Sequence, residues 1–87
     1  MIDAQALAEI QRLAQLDRIR YVRHAKERMT ERSVSHEDVR RALETGTAAR
    51  GQADRDNWRV SGGVDLAGDE LTVVVAIEAD LIVVTVF

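Results

Sequence analysis

A short segment, residues 23–32, holds the side chains best suited to chemistry in this sequence. It carries an imidazole at His24, followed by guanidinium groups at Arg28 and Arg32. Residues four apart on a helix lie one turn above each other, so these three side chains would form a ridge along one side of a helix. Imidazole ionises near neutral pH and can give or take a proton, whereas guanidinium stays charged and offers two aligned donors to a phosphate. The spacing therefore predicts a site for a phosphate-bearing group.

The same helix also has a simpler interpretation. Glu27 lies four residues after Arg23, and Glu31 lies three residues after Arg28, which is the spacing of ion pairs on ordinary exposed helices. Lys26 falls on the solvated side of the helix. Both interpretations, an anion site and a solvated face with internal ion pairs, are open at the level of sequence.

Charge is unevenly distributed along the chain. The 87 residues carry 12 Lys and Arg against 15 Asp and Glu, a net charge of -3. Residues 18–41 hold eight of the twelve cations and only four of the acids, whereas residues 42–87 sum to -5. A basic region on an acidic body predicts an anionic partner bound at one place. The acidic second half also leaves open an inhibitor that imitates RNA.

Length and composition limit the class of protein. At 87 residues the chain should form one domain. It has no cysteine, which excludes disulfides and thiolate chemistry, and no apolar run long enough to span a bilayer. The start of the sequence lacks the features of a signal peptide, so we expect a cytoplasmic protein without membrane contact. His24 and His36 have no accompanying ligand cluster, so we expect no metal and no cofactor, and His36 reads as a surface residue.

The first half of the sequence predicts two or three helices. An N-terminal helix over residues 3–17 has Asp3 as its N-cap, and a second helix runs from about 21 to 32 with a buried stripe. The third helix has the clearest start: Ser35 is the N-cap, and Asp38 completes a capping box. The residues expected to form the buried stripe of the second helix are Val22, Ala25 and Met29. Gly46 is expected to end the third helix in a left-handed conformation.

The second half predicts strands around Trp58 and over residues 70–78 and 81–87, with a tight connection at Ala79-Asp80. Residues 47–56 read as a polar loop that could contain a short strand, and Gly62-Gly63 as a bend. The fold class is therefore α+β, with the helices packed on a three- to four-stranded antiparallel β-meander.

The long strands are apolar on both faces, which a half-solvated sheet would not be. One face carries Val73 and Val75 and the other carries Val74, and the helices can cover one of the two. Part of the second face needs another cover, which could be the N-terminal helix, a second copy of the chain or another protein. Trp58 reads as a core residue, while Arg59 points to the opposite face and could meet the basic helix or a ligand. Thr85 interrupts an apolar run, so its hydroxyl either bonds locally or lines a pocket.

Residues 24–46 match the pattern H-A-x-x-R-M-x-E-R-x-[IV]-S-x-x-D-V-x-x-A-L-x-x-G, and the C-terminal strands resemble the hairpin that accompanies it. On these motifs the chain resembles, over residues 20–87, the family of small bacterial proteins known as domain of unknown function 4258. The resemblance implies a fold similar to RelE/MqsR-type toxins. It also implies the toxin of a toxin–antitoxin pair, which cleaves RNA without a metal.

The resemblance and the ridge together give the candidate residues a role. His24 would act as acid or base, and Arg28 and Arg32 would hold the scissile phosphate, giving a 2′,3′-cyclic phosphate and a 5′-hydroxyl. Substrate-binding residues would be Arg59, Lys26 and Thr85. The expected partners are RNA, free or as ribosome-bound mRNA, a cognate antitoxin protein and a second copy of the chain.

A competing function also fits the sequence. The acidic pI of about 5.3, and the presence of Phe87 where related proteins often have Tyr, favour a non-catalytic module. Such a module would bind protein or nucleic acid and form a dimer through its sheet.

Overall fold

The computed structural model describes residues 1–52 and 56–87, which form three helices and five strands. The α+β class is therefore confirmed. Within the predicted loop 47–56, residues 53–55 lie outside the described residues. In chain order the elements are α1 (Asp3–Gln15), β1 (Ile19–Tyr21), α2 (Arg23–Glu31), α3 (His36–Thr45), β2 (Ala48–Gln52), β3 (Asn57–Ser61), β4 (Val73–Ile77) and β5 (Leu81–Val86).

The five strands form one sheet in the order β1-β5-β4-β3-β2. Strands β2 to β5 are antiparallel neighbours in chain order, and β1 adds to β5 in parallel. The sheet is thus five-stranded and mixed, not the antiparallel meander of three or four strands that we expected. The difference arises at β1, because three residues are too few to show the alternation that identifies a strand.

The start of α1 differs by one residue from the prediction. Ile2, not Asp3, is the N-cap, and its backbone N–H donates to the Gln5 side chain at 3.2 Å. Asp3 lies in the first turn, where its negative charge still favours the helix dipole. The expected apolar spacing is confirmed, because Ile10, Leu13 and Ala14 are buried.

Helices α1 and α3 satisfy each other's C-terminal carbonyls. Gln11 Nε2 donates to the backbone oxygens of Glu44 and Gly46 at 3.2 and 3.0 Å. In return, the Arg40 guanidinium donates to the oxygens of Ala14 and Gln15 at 3.1 and 3.0 Å. The last carbonyls of a helix have no partner within it, so this exchange stabilises both ends.

Helix α2 begins later than predicted. Tyr21 belongs to β1, and Val22 is the N-cap of α2 and 38% exposed, so neither belongs to a buried stripe on this helix. Ala25 is fully buried, and Met29 packs against the core. The backbone N–H of Val22 donates to the carbonyl of Val83 at 3.2 Å, which fixes the start of α2 beside β5.

Helix α3 begins as predicted. The Ser35 hydroxyl accepts from the backbone of Asp38, and the Asp38 carboxylate accepts from the backbone of Ser35 at 2.9 Å. Gly46 is the C-cap, but its φ of -54° is not left-handed. Its small size matters instead, since a Cβ there would lie 2.5 Å from a methyl group of Val60. Gly63 allows similar closeness, because a Cβ would lie 2.0 Å from the carbonyl oxygen of Ala42.

All three helices contribute to one core on one face of the sheet. Val73 and Val75 are buried in it, and half-buried Trp58 packs against it. α1 packs into this same core, so it does not cover the second face of the sheet. The predicted strand 70–78 shortens to β4, while Glu70 forms an isolated bridge with Val64. In the part of the chain that the structure describes, no helix combines the length and apolar character needed to cross a bilayer.

Candidate functional site

We call the sheet face opposite the helices the open face. Side chains alternate along a strand, so the register defines this face. Its central row runs across four strands, and a second row crosses the other end of the sheet. The central row is Arg50, Arg59, Val74 and Thr85, and the second is Ala76, Ile82 and Arg20. None of these residues belongs to the core cluster.

Charge on the sheet has a single sign. The five strands contain three charged residues, all arginine and all on the open face: Arg20, Arg50 and Arg59. No described strand contains Asp or Glu. The acids of residues 42–87 whose positions are described therefore lie outside the five strands. The open face is cationic although the chain as a whole is negative.

His24 lies where α2 meets the open face. Its Nε2 is 3.4 Å from the Thr85 hydroxyl, across 61 residues of sequence. This is a long hydrogen bond, and His24 is exposed. A β-bulge at this point shifts the register, since Val74 pairs with Thr85 while Val75 pairs with Val83. Bulges re-aim side chains, and this one keeps Thr85 on the open face while Val86 faces the core.

The rest of the predicted ridge is only partly assembled. Arg28 Nη1 lies 3.5 Å from a carboxylate oxygen of Glu31, and Arg23 pairs with Glu27 at 3.2 Å. Both are the ion pairs of the simpler interpretation, and each has at least one well-exposed partner, so each contributes little to stability.

The remaining cations of α2 point to solvent. Arg32 is the C-cap and is exposed, as is Lys26. Eight residues of helix separate Arg32 from His24, a rise of about 12 Å. Of the three predicted catalytic residues, His24 is the one with a hydrogen bond to a strand residue in the part of the chain that the structure describes.

Arg59 lies on the open face, as its alternation with Trp58 predicted. Its guanidinium carbon is 4.8 Å from the ring centroid of Phe87, a cation–π contact. Among the described residues, Arg59 forms no hydrogen bond or ion pair with α2. Directly opposite Arg59 on β2 is Arg50, a residue that sequence reasoning missed. The signal was weak, because β2 lies in a polar segment without apolar alternation.

A second cluster surrounds His36, which is not the isolated surface residue that we expected. Its Nε2 is 2.8 Å from Asp17 Oδ1, and its Nδ1 is hydrogen bonded to the Tyr21 hydroxyl. A carboxylate only accepts, so Nε2 carries a proton; in the neutral imidazole Nδ1 then accepts from the phenol. Asp17 has a left-handed φ of 56°, a conformation that Asp tolerates, and this turns the chain from α1 into β1.

The electrostatics of this cluster are negative. Burial, together with the charges of Asp17 and then Glu37, raises the pKa of the Tyr21 phenol well above its usual value. A phenol of that kind stays protonated and is a poor nucleophile or base. The cluster joins the end of α1, β1 and the start of α3, so its role is structural.

Asp38 is also shifted, for a different reason. Backbone N–H groups of Ser35 and Leu66 donate to its carboxylate and lower its pKa. The bond to Leu66 ties the loop after β3 to the start of α3 at 3.0 Å. Among residues 1–52 and 56–87, no group of three or more His, Asp or Glu is placed to hold a metal ion.

The comparisons with known proteins agree with the sequence motifs. The family described as "Domain of unknown function (DUF4258)" matches residues 21–87, which confirms the predicted family resemblance. The matched region begins at β1 and omits α1. No curated protein and no solved structure matches the chain.

Proposed function

We propose that this chain, which belongs to the DUF4258 family, binds RNA on the open face and cleaves it with protein side chains alone. In this proposal it is the toxin of a toxin–antitoxin pair, has a RelE-like fold and acts in the cytoplasm. The observation that carries the proposal is the sorting of charge. The strands hold three arginines and no acid, and His24 meets Thr85 at the border of that face.

His24 is the proposed base. It takes the proton from a ribose 2′-hydroxyl, whose oxygen attacks the adjacent phosphorus atom. Thr85 would position the imidazole through its 3.4 Å contact rather than touch the substrate. The bond from phosphorus to the 5′-oxygen then breaks, which leaves a 2′,3′-cyclic phosphate and a 5′-hydroxyl.

Arg28 is the proposed partner for the charge that develops on the phosphate. It lies one helical turn from His24, and its 3.5 Å pair with Glu31 is weak enough to exchange for a phosphate. Arg32, at the far end of α2, and exposed Lys26 would contact the RNA backbone further along.

The leaving 5′-oxygen also needs a proton. Phe87 has no phenol to supply one, so in this mechanism the proton comes from water. We therefore expect a slow enzyme, whose rate rests mainly on His24 and the arginines.

The test is cleavage of a free single-stranded RNA in EDTA and, in a second mixture, of ribosome-bound mRNA in the Mg²⁺ that ribosomes need, followed by analysis of the new ends. Wild type should produce 2′,3′-cyclic phosphate and 5′-hydroxyl ends, and Arg28→Ala should cut more slowly. Cutting that disappears in EDTA, or RNA left intact by pure wild type in both mixtures, would remove the proposal.

A binding module is the second candidate, and two observations favour it. Arg28 is already paired with Glu31, and the open face has two half-buried apolar side chains, Ala76 and Ile82, that a second copy could cover. Expression separates the two functions. A toxin should arrest growth unless its antitoxin is present, whereas a dimeric binding module should not.

A further inference from the structure

Two arginines face each other across the open face. Arg50 on β2 is the direct cross-strand partner of Arg59 on β3. Like charges directly opposite in an antiparallel pair are destabilising. Both side chains are exposed, and no described residue forms an ion pair with either. A bound anion between them would turn this repulsion into two attractions.

The chemistry around the pair favours a phosphate of a single-stranded nucleic acid. A guanidinium fork matches phosphate oxygens with two parallel hydrogen bonds. The Arg59 guanidinium lies over one face of the Phe87 ring, and Phe87 is 41% exposed, so the rest of the ring surface can stack an unpaired base. A duplex keeps its bases paired and could not use that ring.

The pair also lies in line with His24. The row from Arg50 through Arg59 and Val74 ends at Thr85, which contacts the imidazole. Neighbouring strands are about 4.8 Å apart, so the midpoint between Arg50 and Arg59 is about 12 Å from Thr85. A stacked strand advances about 3.4 Å per nucleotide, which makes this distance about three to four nucleotides.

We propose that Arg50 and Arg59 together bind a backbone phosphate of single-stranded RNA, three to four nucleotides from the phosphate at His24. The strand then runs across the sheet, perpendicular to β2–β5, with Phe87 beneath a base. This subsite extends the proposed function to the class of substrate: a single strand long enough to reach both positions.

Binding of non-cleavable 2′-O-methyl oligonucleotides tests the subsite apart from catalysis. Wild type should bind an octanucleotide more tightly than a dinucleotide. Arg50→Ala should weaken octanucleotide binding about fivefold, as for one exposed ion pair of about 1 kcal/mol. It should also make the salt dependence of log K less steep by about 0.7, as for one phosphate contact to a single strand. Dinucleotide binding should not change.

Arg41→Ala is the matched control, because it removes the same charge from an exposed arginine on α3, on the helix side of the sheet. It should leave octanucleotide binding unchanged. Equal losses in Arg41→Ala and Arg50→Ala, no loss in Arg50→Ala, or no octanucleotide binding by wild type would each overturn the inference. Tight, Arg50-dependent binding by a wild type that never cleaves RNA would support the subsite while removing the proposed nuclease.

Discussion

The two histidines of this chain occupy opposite environments. His36 is held at both ring nitrogens, by Asp17 at 2.8 Å and by the Tyr21 hydroxyl. His24 is exposed, and within residues 1–52 and 56–87 it has one hydrogen bond, a long one of 3.4 Å to Thr85. By geometry alone, the His36 cluster looks more like a catalytic triad than the site at His24.

Charge reverses that impression. Burial, and then the charges of Asp17 and Glu37, raise the pKa of the phenol in the His36 cluster, and these two acids would also repel a phosphate. The sheet face beside His24 carries arginines and no acid. A well-ordered imidazole is therefore not necessarily a catalytic one. A catalytic imidazole needs a ring nitrogen that is free to exchange a proton with the substrate.

The largest expected effect separates the two histidines by activity. His24→Ala should lower the rate of RNA cleavage about 100-fold or more, because a positioned acid or base contributes at least that much. His36→Ala should keep most of the cleavage rate at a temperature where it remains folded. Single-turnover cleavage by both variants measures the contrast.

Loss of cleavage in His36→Ala with full activity in His24→Ala would show that His36, and not His24, is the catalytic histidine. Thermal unfolding of each variant serves as the control, since an unfolded protein would imitate a catalytic defect.

The next effect separates the histidines by stability. His36→Ala should lower the free energy of unfolding by about 1–2 kcal/mol, because the half-buried Tyr21 hydroxyl and Asp17 lose their shared partner. Tyr21→Phe should cost about 1 kcal/mol, and His24→Ala should cost less than either. Urea unfolding followed by the single tryptophan, Trp58, gives these values. Equal costs for the two histidine variants would remove the structural role of His36.

The ionisation of Tyr21 sharpens the same contrast, and it can be observed directly because this is the only tyrosine. Its folded pKa is raised, so above the ordinary value of 10.0 the unfolded chain loses a proton that the folded protein keeps. Stability should therefore fall as pH rises beyond 10.0, and less so in Tyr21→Phe. Ultraviolet absorbance of the phenolate should rise only with unfolding. If the Tyr21 phenol of the folded protein instead titrates at the ordinary value, the environment that the structure gives it would be contradicted.

The smallest expected effect concerns the helix that carries His36. Ser35→Ala should cost about 1 kcal/mol through loss of the N-cap. The pKa of Asp38 is lowered in the folded protein, so its carboxylate stabilises the fold above the ordinary value of 3.8, and this stabilisation is lost as pH falls through the lower folded value. The free energy of unfolding of Asp38→Asn should therefore differ from that of wild type at neutral pH and approach it in acid. If the difference persists in acid, packing rather than charge explains it.

Sequence reasoning succeeded where local chemistry decides structure. The pair Ser35 and Asp38 predicted the start of α3 correctly, because a capping box is a local exchange of hydrogen bonds. The placement of Arg59 and Trp58 on opposite faces followed from strand alternation alone.

Sequence reasoning failed where residues far apart in the chain determine the structure. Tyr21 was assigned to a helix, but pairing with Val83, 62 positions later, makes it a strand residue. The hydrogen-bond partners of His36 come from the turn after α1 and from β1. Arg50 becomes a candidate binding residue only because its strand register places it opposite Arg59. No local sequence pattern predicts such pairings.

The most direct test follows both imidazole signals by NMR while a non-cleavable 2′-O-methyl RNA oligonucleotide is added. The chain has two histidines, so His24→Ala and His36→Ala assign the signals without ambiguity. We expect the His24 signal to shift with saturation as RNA binds, while the His36 signal stays in place. Movement of the His36 signal with a static His24 signal, or no movement of either at saturating RNA, would contradict the proposal that RNA binds the open face at His24.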